Sequence, residues 1–385
     1  MDFSLSEEQQ LFQDSVRGWA RQELAPDAVA RAMSETYPRE IAKKAAEMGL
    51  IGITFAEEDG GAGGTLIDAI IAIQEVAMAC PRSGDVIQSG NFGPIRTFYE
   101  YATPEQKERF LPGLLKGEMV ISLGMSEPGA GSAVTELQTS ARIDGDHVII
   151  NGTKVFGTHS HEADLFLVYV RFGPGVGGIG SVLIERGTEG FQIGSPTEFM
   201  NGEKWSQLYF DECRIPKSNI LLGPGGFKQQ ISGFNVERLG NSSRAVALGR
   251  YAFNVAREHA LERKQFGRPL CEFQGLQWKF AEMELKLTSA QLMLMRAAVN
   301  AKDGLPSAQD AALAKLACNE AGFWAANEAL QIMGATGFSE DSLVQYCVRR
   351  TRGWMIAGGS LEILKNKIAE GIFGRRFDQR APKVG

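Results

Sequence analysis

The 385-residue sequence holds only five cysteines and four histidines. Cys80, Cys213, Cys271, Cys318 and Cys347 are widely spaced and form no CxxC pair. An odd, scattered set excludes a disulfide framework and fits reduced thiols in the cytoplasm. His159 and His161 stand two residues apart with no third ligand nearby, so a surface or cofactor-side place is expected for them rather than a metal centre. No apolar run approaches the roughly 18 residues of a membrane-spanning helix; the stretch 66–79 is broken by Asp68, Gln74 and Glu75. The start, Met1-Asp2-Phe3-Ser4, is acidic and lacks the layout of a secretory leader. Excess positive charge is also missing. With 40 Lys+Arg against 46 Asp+Glu the formal net charge is -6, so nothing draws the chain to nucleic acid or to an anionic membrane.

What the chain does have is a soluble globular profile, 44% apolar and 22% charged, with an excess of glycine. Glycine occurs 45 times, against roughly 7% in ordinary proteins. Proline, at 14, is not raised, which excludes collagen-like and low-complexity explanations.

The pattern predicts an α+β multidomain protein. Residues 1–121 read as an N-terminal helical domain. Ser6-Glu7-Glu8 is a capped helix start, followed by Leu11, Phe12, Val16 and Trp19 at helical spacing. Residues 65–79 read as a buried helix, and Thr103-Pro104 as another helix start. Over 122–225, short segments rich in β-formers alternate with Asp144-Gly145, Asn151-Gly152 and the run 173–180, which predicts a middle antiparallel β domain. Residues 226–385 read as a C-terminal four-helix bundle. Leu276, Phe280, Met283, Leu287, Ala290, Leu294 and Ala297 make a heptad seam, and Leu313, Leu316, Phe323 and Leu330 continue it on a second helix.

The glycine clusters at 60–64 and 173–180 invite a nucleotide reading. Neither has the strand-then-helix setting of a phosphate loop or a dinucleotide fingerprint, so both are expected to be turns. The segment Met125-Ser126-Glu127-Pro128-Gly129-Ala130-Gly131-Ser132 differs. It packs small residues around a turn at the helical-to-β boundary, where backbone N–H groups can approach a planar or anionic ligand.

Together with that segment, Asn151-Gly152-Thr153-Lys154, Arg263–Gly267, Gln331-Ile332-Met333-Gly334 and Ile356–Ile363 give a motif series that resembles the acyl-CoA dehydrogenases, in the same order and over nearly the whole chain. The resemblance implies FAD as cofactor, an acyl-CoA substrate, an electron-transfer flavoprotein as electron acceptor and a homotetramer. It implies that Met125, Ser126 and Gly131 line the flavin, with Ser132 toward the CoA side. Thr158 would meet the flavin near N5, and Phe156 would lie against the ring where the family carries tryptophan. Arg263, Gln265 and Phe266 would reach the FAD of a neighbouring subunit. Gln331 and Gly334 would hold its ADP half, and Ser360 and Glu362 would complete the site.

The implied chemistry removes a proton from the thioester Cα while a hydride leaves Cβ for flavin N5, giving a 2-enoyl-CoA. A desolvated carboxylate serves as base. Many members carry it in the last motif, but here that position is Gly358. Others carry it in an E-R-L context on the first bundle helix, which makes Glu237 of Val236-Glu237-Arg238-Leu239 the leading candidate. Asn235, Arg238, Gln88, Gly358 and Gly359 are implied substrate neighbours. Asp85 is the alternative base, which would suit a cyclic enoyl-CoA. A desulfinase-like lyase and a flavin-free binding subunit complete the alternatives.

Overall fold

The computed structural model describes residues 4–34 and 36–377; Met1, Asp2 and Phe3 of the acidic start lie outside the described residues. Seven α-helices open the described residues: α1 Glu7–Trp19, α2 Ala28–Ala32, α3 Arg39–Glu47, α4 Leu66–Ala79, α5 Ser83–Ser89, α6 Pro94–Tyr101 and α7 Pro104–Leu115. Local chemistry sets their starts. The side chains of Ser6, Thr65 and Thr103 each accept from the N–H three residues on, and Gln9, Asp68 and Gln106 return the bond. These reciprocal boxes satisfy donors that a helix start leaves orphaned. Helix α4, apolar on nearly all sides, is buried from Leu66 to Ala77 except at Ile67, Asp68 and Gln74. Helix α5 is short and almost wholly buried, although it carries Asp85 and Gln88.

The β region follows: β1 Ile121–Gly124, β2 Ser140–Asp144, β3 His147–Lys154, β4 Leu165–Arg171, β5 Ile179–Glu185, β6 Phe191–Glu198, β7 Lys204–Pro216 and β8 Ile220–Leu222. They form one sheet in the order β6-β7-β3-β2-β4-β5-β8, with β1 also on β4. The sheet is not purely antiparallel as expected. Strand β1 pairs β4 in parallel, and β2 meets β4 in parallel at Ser140 and Arg171. The two share one edge of β4 because the chain leaves β1, forms the β2–β3 hairpin, and returns along β4 in the same direction. The run at 60–64 is a turn and loop; the run at 173–180 is a loop with one short 3-10 turn at Val176–Gly178, and its last two residues, Ile179 and Gly180, already belong to β5.

The bundle comprises α8 Phe227–Glu262, α9 Gln274–Val299, α10 Ala308–Met333, α11 Ala335–Phe338, α12 Leu343–Trp354 and α13 Leu361–Phe373. A small ribbon, Lys264–Gln265 paired with Arg268–Pro269, links α8 to α9. On α9, Met283, Leu287, Ala290, Leu294 and Ala297 are buried along the expected seam. Helix α10 departs from expectation. Leu313, Leu316, Phe323 and Leu330 are only half-buried, and the buried face consists of Ala311, Ala314, Cys318, Gly322, Ala325 and Ala329 with Lys315 and Asn319. Small residues win this face because α8 and α10 touch backbone to backbone. A Cβ on Gly249 would sit 2.8 Å from the Gly322 Cα, and one on Gly322 would run into the Ala245 carbonyl.

That contact gives a two-sided test. Gly322→Ala overpacks the crossing and should cost about 1–3 kcal/mol, read as a lower Tm. Gly18→Ala, on the exposed flank of α1 where an added Cβ meets nothing within 4 Å, should raise stability by roughly 0.5–1 kcal/mol.

Candidate active site

Two sequence motifs meet in a buried ion pair. Glu127 of the 125–132 segment accepts from Lys154 Nζ at 2.7 Å, from Thr139 N at 2.9 Å and from Gln138 N at 2.6 Å. Lys154 Nζ also donates to the Met125 carbonyl at 3.3 Å. Burial works against both charges. The Lys154 ammonium is pushed down to about 8 by burial, with Glu127 opposing, while the Glu127 carboxyl stays below its ordinary value because Lys154 and backbone donors outweigh its burial. The Val155 N–H then donates to the Ser126 carbonyl at 2.9 Å, so the small-residue loop lies beside the end of β3.

Past β3 the chain turns through Phe156 at φ 61°. Gly157 packs so closely that a Cβ there would sit 2.9 Å from the Leu123 carbonyl oxygen. That leaves Phe156 58% exposed, with Trp205 behind it at 4.6 Å between ring centroids, and leaves Thr158 exposed. An exposed ring with an aromatic backing is a surface for a planar ligand. Gly129 and Gly131 have open space where a Cβ would stand. These residues fit a flat ring and its chain. Ser126 is part-buried and Ser132 exposed. At the far ends of α8 and α10, Arg263, Gln265, Gln331 and Gly334 are exposed, Glu362 is exposed and Ser360 part-buried near the start of α13, and Phe266 is 94% exposed.

A second cluster gathers around Glu237 on α8. Its carboxylate accepts a short hydrogen bond from the Gln88 side-chain amide on α5. Gly93 allows close approach, since a Cβ there would sit 3.1 Å from Glu237 Oε2. Burial pushes the Glu237 carboxyl up to about 7, against the pull of Arg244, Lys315 and the Gln88 bond. The next residue of α8, Arg238, donates from Nε to the Gly358 carbonyl at 3.3 Å and from Nη1 to Asn235 Oδ1 at 2.9 Å, and its Nη2 lies 3.5 Å from where a Gly359 Cβ would be. Gly358 and Gly359 both have positive φ, 75° and 92°, which favours residues without a side chain. Asn235, Glu237, Arg238, Gln88, Gly358 and Gly359 therefore form one neighbourhood.

Lys315, which the sequence does not single out as chemical, is part of it. Fully buried on α10, it donates to the Trp354 carbonyl at 2.9 Å and the Gly359 carbonyl at 3.2 Å. Burial lowers its ammonium to about 7, with Arg238 adding to the effect. A lysine in the middle of an alanine-lined face is the available signal in the sequence.

Asp85 stands differently from Glu237. Arg244 Nη1 donates to its Oδ1 at 2.7 Å, Arg350 Nη2 makes a short bond to its Oδ2, and Arg82 lies 3.7 Å away. Burial opposes its charge, but Arg350, Arg244 and Arg82 together hold the carboxyl well below the usual range. A carboxylate so paired is a weak base. Arg350 continues to Glu203, and Glu203 Oε1 faces His159 Nε2 at 3.3 Å. His159 is buried, not a surface group, edge-on to Tyr37 at 4.9 Å, and burial pushes it down to about 4. Arg82, Arg244, Arg350 and Glu203 are scattered through the chain, and only folding brings them together. Among the described residues no cluster of three or more His, Cys, Asp and Glu could hold a metal, and no helix is long and apolar enough to cross a membrane.

Comparison with known proteins agrees with the geometry. The sequence patterns of the acyl-CoA dehydrogenase N-terminal, middle and C-terminal domains match residues 6–118, 122–213 and 224–373. The chain is 35% identical to a short-chain specific acyl-CoA dehydrogenase of Clostridium acetobutylicum over 97% of its length and 100% of the relative. It is 33% identical to a 3-sulfinopropanoyl-CoA desulfinase of Paraburkholderia xenovorans, covering 98% and 99% of the two chains. A chain solved in work on the electron transferring flavoprotein of Acidaminococcus fermentans superposes with a TM-score of 0.91 at 30% identity, over 97% of this chain and 99% of that one. With all three domain patterns in order and relatives alike from end to end, the chain belongs to the acyl-CoA dehydrogenases, FAD-dependent oxidoreductases of acyl-CoA thioesters.

Proposed function

We propose that the protein oxidises an acyl-CoA to its 2-enoyl-CoA with Glu237 as the base that removes the Cα proton. One observation carries this reading: Glu237 is a desolvated carboxylate with a neutral amide partner, near the lysine that holds the 358–359 loop, and position 358 offers no carboxylate. A base toward a carbon acid needs a raised pKa and freedom from a cation that would hold it ionised. Asp85, paired with arginines, lacks both. Gln88 orients the Glu237 carboxylate. Arg238 and Lys315 pin the 358–359 loop, which leaves its backbone N–H groups for the thioester oxygen as negative charge develops there.

Met125, Ser126, Gly131, Phe156 and Thr158 would hold the isoalloxazine, with Ser360 and Glu362 at its edge and Ser132 toward CoA. Bound there, FAD supplies the hydride acceptor for Cβ. Arg263, Gln265, Phe266, Gln331 and Gly334 stand exposed at the bundle's end, suited to FAD carried by another copy of the chain. Self-association has further support on α9, where Trp278, Leu285, Leu292 and Val299 are exposed at intervals of seven residues, an uncovered coiled-coil seam. A homotetramer is the assembly proposed. The likeness to the chain solved in the Acidaminococcus work supports an electron-transfer flavoprotein as the acceptor.

A second reading, cleavage of a sulfinylated acyl-CoA, has the desulfinase likeness and a buried Arg82 whose Nε has no partner. Release of sulfite from such a substrate, without reduction of an acceptor, would select it over dehydrogenation.

Two outcomes test the main reading. Glu237→Gln should slow anaerobic bleaching of the flavin by an acyl-CoA panel about 100- to 10,000-fold. In the native enzyme the rate should rise with pH through about 7, because the carboxyl is protonated, and useless as a base, below that value. Leu285→Arg should break the assembly into smaller species by light scattering and release FAD with it; a variant that keeps both its native mass and its flavin would remove the case for the α9 seam.

A further inference from the structure

A base among cations needs something to keep them off it. The groups facing Glu237 come from every packed element: Gln88 from α5, Gly93 at the start of α6, Arg244 from its own helix and Lys315 from α10. Arg244 follows Glu237 by seven residues, two turns along the same face of α8, within reach of an ion pair with it. The pair does not form. Arg244 instead donates to Asp85 at 2.7 Å and lies over the Trp354 ring at 4.5 Å. Lys315 is engaged by the Trp354 and Gly359 carbonyls. Helix α5 thus sends two side chains one turn apart toward α8: Asp85 meets the arginine, and the neutral Gln88 meets the base.

We propose that Asp85 is a positioning residue which, by holding Arg244 and Arg350 in a buried carboxylate–guanidinium clamp, keeps Arg244 from pairing with Glu237 and so keeps Glu237 available as a base. The proposal rests on Glu237 being that base. It accounts for an otherwise costly arrangement. The cluster buries Arg82, Arg244 and Arg350 against Asp85 and Glu203, and it leaves Nε of all three arginines and the Tyr346 hydroxyl unpaired. Buried ion clusters of this kind add little to stability compared with apolar packing. Here the cluster fixes the place of a cation beside a reactive carboxylate. Arg350, tied to Glu203 at its other end and over the Trp354 ring at 5.2 Å, stiffens the clamp from α12.

The test reads the Glu237 carboxyl directly, by pH titration of its infrared band in flavin-loaded protein, isolated as the difference from Glu237→Gln. In Asp85→Asn, which keeps the shape and removes the charge, Arg244 is released to Glu237 and the midpoint should fall by about one to three units. The double variant Asp85→Asn/Arg244→Gln should return it toward the native value. If Asp85→Asn does not fold, Arg244→Gln alone should move the midpoint upward by losing a nearby cation. An unchanged midpoint in either single variant, or a drop that Arg244→Gln does not reverse, overturns the clamp. Flavin bleaching at native rates by Glu237→Gln overturns the base instead, and leaves the titration result to be judged by itself.

Discussion

A carboxylate without an ion-pair partner, beside two cations committed elsewhere, is the arrangement that ties this site to the packing of the helices. Glu237 lies near Arg244 and Lys315, and in a poorly solvated site either could take it as a partner. Each is committed elsewhere: Arg244 to Asp85 and the Trp354 face, Lys315 to two backbone carbonyls. Those commitments need α5, α8, α10 and α12 in fixed relative positions. The glycine contact between α8 and α10 brings Lys315 under the 358–359 loop, and the close approach of Gly240 to Phe92 and the Gln88 side chain brings α5 onto α8. The packing of the bundle and the chemistry of the site are one problem.

The side proposed for the flavin obeys a different logic. The 125–132 loop is small-residued and open, and a loop of that kind holds its shape only if something buried ties it down. Glu127 and Lys154 do so, each satisfied by the other and by backbone groups. The pairing outweighs desolvation for Glu127 and offsets only part of it for Lys154, and losing one partner would strand the other. Val155, Phe156 and Thr158 follow directly from that anchor, and Gly157 presses the chain inward so that the side chains on either side of it face out.

Much of this was legible beforehand. The order of helical, β and helical regions, the capped helix starts and the α9 seam follow from periodicity and local hydrogen bonding, which act over a few residues. Glu237 and Gly358 could be picked out because motif context and a missing side chain are sequence properties. Other features were not visible. The parallel placement of β1 beside β4 depends on where the chain returns after the β2–β3 hairpin. The buried face of α10 went to alanine and glycine rather than to its leucines, since helix separation is set by the partner. His159 turned inward because Glu203 and Tyr37 were there to receive it.

The sequence by itself therefore determined the elements, the family and the absence of a carboxylate at position 358, all of which are written in neighbouring residues. The tertiary structure alone decided which of two nearby acids is free. Asp85, buried on α5, and Glu237, part-buried on α8, lie close together, and motif context favours Glu237 without showing which of the two is ion-paired. Arg244 and Arg350, from two distant helices, join the neighbouring Arg82 on Asp85, while among the described residues Glu237 takes its side-chain hydrogen bond from the neutral amide of Gln88. Charge interactions in a poorly hydrated interior depend on distances across the fold, and those distances exist only once the helices have packed.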